Sequence, residues 1–360
     1  MRIRVLPIFL PVVLAMALVV ICAVKTLAQS SSPNHAALDD SLPAPAIYGV
    51  SNGSLVVIDP ATGEIEAIGP PLPFQNAAAL IPNPLHPRLY VLESGGNRIA
   101  VVNTHTLQVE GIFSEPFSFN FVLGTGFATI SPSGSKIYVL APNDFVDVIS
   151  TRSGAVDASI PLSSGPDSVA VGDFGNKVYI SLSFENRIVV VNASTDQIIG
   201  SFLDGLCSHR SEGEKCEIKE MLTGSDGRYI MGASPRTSSV AAIDTTIDKV
   251  VADTVVGFGV CPFDALIGVN AAADQIAVFT EACEHEYTAF VSALPPFGVV
   301  RYDLPNARWA GALTAAFDPT GTIGYLTGDR RFTKGNVIQF TSQSYRFIDI
   351  GSPAPLVLVP

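Results

Sequence analysis

A short apolar segment centred on tyrosine recurs along the chain, with a spacing of about 45 residues. Each copy is rich in Val, Ile, Leu and Tyr and is bounded by Gly, Pro, Asn, Asp or Ser, which predicts a β-strand. Six copies contain Tyr48, Tyr90, Tyr138, Tyr179, Tyr229 and Tyr325, and the segment 276–279 fills the remaining place without a tyrosine. The pattern therefore predicts seven repeats.

A second apolar strand follows each tyrosine strand and ends in a small polar residue. These seven residues are Asp59, Asn103, Ser150, Asn192, Asp244, Asp303 and Thr341. Short polar side chains at the start of a turn form local hydrogen bonds with the backbone. We therefore expect these side chains to organise the turn that comes next.

A third strand precedes the tyrosine strand in six repeats, clearly at 127–130, 168–171 and 314–317, and more loosely at 77–81, 220–223 and 264–268. Tyr48 has none before it, but a matching apolar run stands at the C-terminus, at 355–359. Seven repeats of this length predict an all-β, seven-bladed β-propeller with four antiparallel strands per blade. The C-terminal strand should join the first blade, because closing the ring removes two open sheet edges.

The repeats resemble those of the YVTN-type β-propeller family. The likeness lies in the basic–aliphatic–Tyr strands at 136–139 and 177–180, in the valine-rich strands ending in Asn or Asp, and in the run at 166–171. The Thr-Asn of the family's name is absent, since Tyr138-Val139 continues into Leu140-Ala141. The resemblance covers nearly all of the chain from Tyr48 onward. It implies a propeller in an extracytoplasmic or surface protein, and no particular reaction.

The first 28 residues differ from the rest. A short basic start is followed by an uncharged apolar run at 5–24, which is typical of a signal peptide or an uncleaved signal anchor. Residues 29–45 read as a flexible leader, and 46–360 as a single propeller domain. We therefore expect an extracytoplasmic protein that is secreted, periplasmic or on the cell surface, in contact with a membrane only through an uncleaved N-terminus.

The net charge of the chain argues against one class of partner, and its cysteines predict disulfides. The chain has 21 Lys and Arg against 33 Asp and Glu, a net charge of −12, so a nucleic-acid partner is not expected. Beyond Cys22 in the apolar N-terminal run, four cysteines remain, and an oxidising compartment favours two disulfides. Four cysteines allow three pairings. We expect Cys261–Cys283, because the first two strands of the sixth repeat form an antiparallel hairpin whose ends bring these cysteines side by side. We expect Cys207–Cys216 because both lie in one loop.

Strands in each blade are lettered A to D from the axis outward. The A–B and C–D turns are predicted to be short and to lie on one face, here named the turn face. The B–C and D–A connections lie on the opposite, loop-rich face and contain every long segment. These long segments are 113–121, 203–217, 281–298 and 328–336. Long loops on a rigid scaffold favour a binding role for this face.

Candidate ligand-binding residues follow from that assignment. Arg98, Arg187 and Arg236 take equivalent B–C positions and with Arg330 and Arg331 form a hypothetical ring for an anionic group. Recurrence as ordinary turn residues is the alternative. Phe117 and Phe119 either form an exposed recognition patch or close the mouth of the propeller.

Enzymatic chemistry is weakly indicated. No catalytic residue or cofactor is predicted, because no nucleophile, phosphate-loop or dinucleotide motif is present. Glu281, Glu284 and His285 are weak metal-ligand candidates, and a solvated acidic loop is the favoured interpretation. The leading hypothesis is an extracytoplasmic binding or scaffold protein for an unknown protein or small ligand. The alternative is a hydrolase or lyase of the lactonase type with a metal near the axis.

Overall fold

The computed structural model describes residues 45–115, 126–203, 218–234, 239–256, 263–282, 285–303, 312–328, 337–341, 344–348 and 356–359. Within these ranges the chain forms seven separate antiparallel sheets of four strands each. Three single-turn 3-10 helices also occur, at Asp173–Gly175, Ser183–Glu185 and Ala271–Ala273. The prediction of seven four-stranded blades is confirmed.

The strands of the first four blades follow the chain. Blade 1 holds β1 (Ala46–Ser51), β2 (Ser54–Ile58), β3 (Ile65–Pro71) and the C-terminal β28 (Leu356–Val359). Blade 2 holds β4 (Ala77–Pro82), β5 (Arg88–Glu93), β6 (Arg98–Asn103) and β7 (Val109–Ser114). Blade 3 holds β8 (Ala128–Ile130), β9 (Lys136–Ala141), β10 (Phe145–Ser150) and β11 (Val156–Pro161). Blade 4 holds β12 (Ser168–Gly172), β13 (Lys177–Leu182), β14 (Arg187–Asn192) and β15 (Gln197–Leu203).

The last three blades have the same order. Blade 5 holds β16 (Glu220–Thr223), β17 (Tyr229–Ser234), β18 (Ser239–Asp244) and β19 (Lys249–Val255). Blade 6 holds β20 (Phe263–Asn270), β21 (Gln275–Ala282), β22 (His285–Ser292) and β23 (Val299–Asp303). Blade 7 holds β24 (Ala312–Phe317), β25 (Gly324–Gly328), β26 (Val337–Phe340) and β27 (Tyr345–Ile348).

The innermost strands close the ring. Each strand A contacts the next, in the order β4, β8, β12, β16, β20, β24, β28 and back to β4. As predicted, β28 pairs antiparallel with β1, with Tyr48 opposite Val357. The backbone N–H of Leu356 also donates to the Thr314 hydroxyl of blade 7, at 2.8 Å. The C-terminal strand therefore joins the last blade to the first and leaves no open edge between them.

Burial follows the position of each strand. Central residues of strands B and C are buried on both faces, as in β5 and β6, because each blade packs against two neighbours. Strand D lies at the rim, and β7 and β11 alternate half-buried with exposed residues over most of their length. This explains the sequence pattern, in which continuous apolar runs mark strands B and C while strand D is weakly apolar.

The repeated tyrosine joins each of four blades to the next. The hydroxyls of Tyr48, Tyr138, Tyr179 and Tyr325 donate to backbone carbonyls of Thr104, Ala193, Thr245 and Pro60, at 2.9, 3.2, 2.9 and 3.0 Å. Each acceptor directly follows the small polar residue of the neighbouring C–D turn. Burial raises the pKa of Tyr48 to about 12, which keeps the phenol protonated and able to donate. The last link, from Tyr325, runs from blade 7 to blade 1.

The basic residue two positions before the tyrosine strengthens two of these links. Residues i and i+2 of a strand point to the same face, so Lys177 reaches the same turn as Tyr179. Its ammonium donates to Asp248 at 2.9 Å and to the Thr245 carbonyl at 3.0 Å. Lys136 likewise donates to Asp196 at 2.7 Å, beside Tyr138. The basic–aliphatic–Tyr sequence is thus explained by contacts between blades.

The small polar residues organise the C–D turns as predicted. Asp59 accepts from the N–H of Ala61 at 2.7 Å, and Asn103 from that of His105 at 2.9 Å. Equivalent bonds to main-chain N–H groups are accepted by the side chains of Ser150, Asn192, Asp244 and Thr341. These bonds replace backbone partners that a tight turn leaves unpaired.

Blade 6 differs from the predicted strand order. The segment 281–298 was expected to be one long B–C insertion, but it contains strand C, β22, which pairs with β21 along its whole length. The segment ending in Asp303 is strand D, so Asp303 does not begin a C–D turn. That role belongs to Ser292, whose hydroxyl accepts from the Leu294 N–H at 3.3 Å. The repeat motif is obscured in this blade because Glu, His and Thr interrupt the apolar run of strand C.

Candidate functional site

The two faces of the ring carry connections of different length. On the turn face, every A–B and C–D connection has four to six residues. On the loop-rich face, the B–C and D–A connections range from two residues, at 52–53, to sixteen, at 204–219. The others longer than six residues are 115–127, 256–262, 304–311, 329–336 and 349–355. Phe113 belongs to strand D and packs against Tyr90, so the first of these begins later than predicted.

A polar cluster of Asp167, Ser183 and Lys219, here named the Asp167 cluster, lies on the loop-rich face close to the axis. Asp167 precedes strand A of blade 4, Ser183 follows strand B of the same blade, and Lys219 precedes strand A of blade 5. The Lys219 ammonium donates to Asp167 at 3.0 Å and to the Ser183 hydroxyl at 2.6 Å. Asp167 also accepts from the Ser183 N–H at 2.8 Å.

This cluster connects blades 4 and 5 and presents charge to solvent. Ser183 is buried, whereas the side chain of Lys219 is 43% exposed. Because the Ser183 hydroxyl also bonds the Asp167 carboxylate, its proton and the Lys219 ammonium share one acceptor. The Lys219 ammonium and the Ser183 hydroxyl thus both donate to the Asp167 carboxylate, an arrangement that suits a polar contact surface.

The connection after Ser183 adds an aromatic and a second cation. Phe184 is 76% exposed and offers apolar area to solvent beside these charged groups. Arg187 begins strand C, and its guanidinium donates to the Ser201 hydroxyl at 2.8 Å and lies 3.6 Å from Glu185. Phe184, Arg187 and Lys219 therefore extend from B–C and D–A connections on one side of the ring.

Arg98, at the equivalent position of blade 2, bonds other groups of the same chain. Its guanidinium donates to both oxygens of Glu93 and, at 2.8 Å, to the carbonyl of Pro73, and it lies 5.5 Å from the ring centre of Phe74. Hydrogen bonding to Arg98 lowers the pKa of Glu93. Arg98 thereby anchors the connection between blades 1 and 2, and Arg187 has fewer internal bonds.

Several predicted residues lie outside the described residues. These are Arg236, Arg330, Arg331, Phe117, Phe119, Glu284, Cys207, Cys216, Cys261 and Cys283. Glu281 and His285 are placed by their backbone in the β21–β22 hairpin and not in a loop. The backbone of Phe263 pairs with Thr280, so the strand ends next to Cys261 and Cys283 are neighbours as the predicted disulfide requires. Both disulfides stay predictions.

Sequence reasoning missed Glu115, the first residue of a long loop-rich-face connection. Glu115 is only 2% exposed, and among the described residues neither of its carboxyl oxygens has a hydrogen-bond partner. Burial raises its pKa to about 7, and the charge of Asp147 on blade 3 adds to the shift. Buried carboxyl groups normally have partners, so this position is energetically costly. Only its place beside the Phe-rich segment could have drawn attention to it.

Within the described ranges, no three His, Cys, Asp or Glu side chains form a group that could hold a metal ion. Nor does any helix there combine the length and the apolar character needed to cross a bilayer.

The fold is similar to several solved structures. They include the hydrazine synthase of Kuenenia stuttgartiensis (TM-score 0.58, 17% identity, 78% of this chain and 81% of that one). The Cps50 (Swd1) β-propeller domain of Myceliophteria thermophila follows with TM-score 0.56, 11% identity, 76% of this chain and 84% of that one. Dihydro-heme d1 dehydrogenase NirN has TM-score 0.56 and 12% identity, over 85% of this chain and 75% of that one. No protein-family model and no curated protein matches the chain. At these identities the likeness shows the fold alone.

Proposed function

We propose that this chain is an extracytoplasmic binding or scaffold protein of the YVTN-type propeller group, and that the loop-rich face takes its ligand. The observation that carries the proposal is the uneven distribution of connections, since every connection longer than six residues lies on that face. Drift in loop length has no reason to select one face, whereas a binding surface has. The apolar N-terminal run supports export.

The described part of that face has the composition of a contact surface. Phe184 offers exposed apolar area, and Arg187 and Lys219 offer partly exposed cations, with side-chain exposures of 44% and 43%. Aromatic and arginine side chains are enriched at protein interfaces. The enzymes among the similar structures lend no activity to this chain, because 17% and 12% identity extend only to the fold.

Site-specific photocrosslinking tests the assignment of the face. Phe184→p-benzoylphenylalanine places the probe on the loop-rich face, and Ile247→p-benzoylphenylalanine places it on the turn face at a side chain that is 55% exposed. Both variants are produced in full length in cells that naturally make the chain, and adducts are identified by peptide mass. We expect a defined adduct from position 184 and none from 247. Adducts from 247 alone, or none from 184, would overturn the proposal.

A further inference from the structure

A pocket on the turn face has no role in the function proposed above. It has a volume of about 450 Å³ and lies between the A–B turn of blade 3, the A–B turn of blade 4 and the C–D turn of blade 4. That volume falls within the range of about 300–1,000 Å³ typical of small-molecule sites. The pocket is lined by serine and asparagine side chains together with Phe174.

Phe174 combines an unfavourable backbone conformation with an exposed aromatic side chain. Its φ is 53°, a left-handed conformation that costs a bulky side chain about 1–2 kcal/mol. It is also 64% exposed, so burial does not offset this cost. The corresponding turn positions of blades 3, 5 and 7 carry the small polar residues Ser133, Asp226 and Thr320. The backbone N–H of Phe174 donates to the Gly227 carbonyl of blade 5 at 3.2 Å, which holds the turn without needing an aromatic ring. A ligand that stacks on the exposed ring would account for the aromatic side chain.

The polar lining is neutral. Lys136 is the cation of the pocket, and its ammonium already donates to both oxygens of Asp196 and to the Ala193 carbonyl. The remaining polar groups are hydroxyls and amides, which both donate and accept hydrogen bonds. Such a lining does not favour an anion, whose binding depends on charge-assisted bonds.

Two amides remain available to a ligand. The Asn192 carbonyl oxygen accepts from the N–H and hydroxyl of Ser194, and among the described contacts its NH₂ group donates to nothing. The side chain of Asn176 makes no hydrogen bond to any described residue and is exposed. Ser133 and Ser135 continue the edge with hydroxyls 2.8 Å apart. Amides and hydroxyls therefore face the same space as the ring of Phe174.

We propose that this pocket binds a neutral saccharide, with one sugar ring stacked on Phe174 and its hydroxyls bonded to Asn176, Asn192 and the serine edge. The C–H bonds on one side of a pyranose carry a small positive charge and match the negative face of an aromatic ring. Sugar hydroxyls donate and accept at once, as the side chains of the pocket do. An acidic protein would disfavour anionic sugars by repulsion.

Saturation-transfer NMR with methyl glycosides of glucose, galactose, mannose and N-acetylglucosamine tests the proposal. The full chain is produced in a bacterial host, so that the Asn192-Ala193-Ser194 sequon carries no glycan that would occupy the pocket. We expect at least one glycoside to bind, Phe174→Gly to weaken that binding at least tenfold, and Phe174→Tyr to preserve it. Phe184→Ala, on the opposite face, is the matched control and should bind as the parent does.

The thermal midpoint separates binding from folding. Glycine adopts φ near +53° without strain, so Phe174→Gly should melt at the parent temperature or above it. Asn176→Ala should also weaken binding with an unchanged melt. Absence of binding to all four glycosides, or undiminished binding by Phe174→Gly, would overturn the saccharide site. Neither result bears on the loop-rich face, whose crosslinks are measured separately.

Discussion

The two faces of this propeller differ in the interactions that stabilise their connections. On the turn face, short connections are held by Asx-type turns, and tyrosine side chains bond four of the C–D turns to the preceding blade, two of them with a lysine beside the tyrosine. On the loop-rich face, connections are longer, Phe184 is exposed, and the Glu115 carboxyl is buried with no hydrogen-bond partner in the described part of the chain. The difference indicates that recurring tyrosine and lysine links between blades lie on the turn face, whereas the loop-rich face carries the long connections and a buried carboxyl that lowers stability.

Removal of the closing strand should have the largest effect. Deletion of residues 353–360 removes the pairing of β28 with β1 and the Leu356–Thr314 bond, and it opens two sheet edges. We expect the thermal midpoint to fall by more than about 10 °C, since each kcal/mol corresponds to a few degrees in a chain of this size. Scanning calorimetry measures it.

A loop exchange provides the control for that deletion. Replacement of residues 329–336 by a Gly-Ser linker of equal length alters a B–C connection of the loop-rich face, and it should shift the midpoint by only a few degrees. Equal losses in the two variants would show that both faces contribute alike to ring closure, and the contrast between them would fail.

Glu115 gives the next largest effect, and it depends on pH. Its folded pKa of about 7 lies above the ordinary value of 4.5. The unfolded chain therefore loses this proton first as pH rises, and stability falls between about pH 4.5 and pH 7. Glu115→Gln cannot ionise and should be more stable than the parent at pH 8 by up to about 3 kcal/mol, with no gain at pH 4.

Urea unfolding of the parent and Glu115→Gln at pH 4, 6 and 8 measures this difference. Asp147→Asn should reduce the loss at high pH, because it removes a charge that raises the Glu115 pKa. Glu64→Gln, at an exposed C–D turn, is the control and should leave the pH profile unchanged. A profile for Glu115→Gln that runs parallel to the parent's would show that Glu115 is not the titrating group.

Much of the fold could be predicted because it repeats. Strand order, blade count and the use of 355–359 as a closing strand follow from three motifs that recur at similar spacing. Blade 6 could not be placed correctly, because Glu286 and Thr288 break the apolar run of β22 while 299–303 imitates a strand C. When one repeat diverges, the segment that most resembles the motif is assigned to the wrong strand. In blade 6 only the pairing of β22 with β21 shows which segment is strand C.

Less of the candidate site could be predicted, since it depends on contacts between blades. Asp167, Ser183 and Lys219 are far apart in the chain and belong to no motif, and the ring brings them together. Arg98 and Arg187 look equivalent in sequence. Among these two, only Arg98 forms a bidentate pair with a carboxylate, that of Glu93. The conformation of Phe174 likewise has no sequence signal beyond the glycine that follows it.

The smallest predicted effect compares one link on each face of blade 4. Tyr179→Phe removes a hydroxyl that lies 2.9 Å from the Thr245 carbonyl and 2.5 Å from Asp248, and it should cost about 1–2 kcal/mol in urea unfolding. Arg187→Ala removes an exposed cation of the loop-rich face and should cost about 0.5 kcal/mol or less. The slope of each unfolding curve should stay constant, because neither change alters the surface exposed on unfolding.

A double-mutant cycle sharpens this last prediction. Lys177 and Tyr179 share Thr245 and Asp248 as partners, so Lys177→Ala and Tyr179→Phe should be coupled by about 0.5–1 kcal/mol. Arg187→Ala combined with Tyr179→Phe should instead be additive, since their side chains bond different partners. If Arg187→Ala costs as much as Tyr179→Phe, or the Lys177 pair is additive, the turn face has no special part in joining the blades. The coupling then separates the link between blades 4 and 5 from the general loss of a buried hydroxyl, because loss of the hydroxyl alone contributes equally to both halves of the cycle.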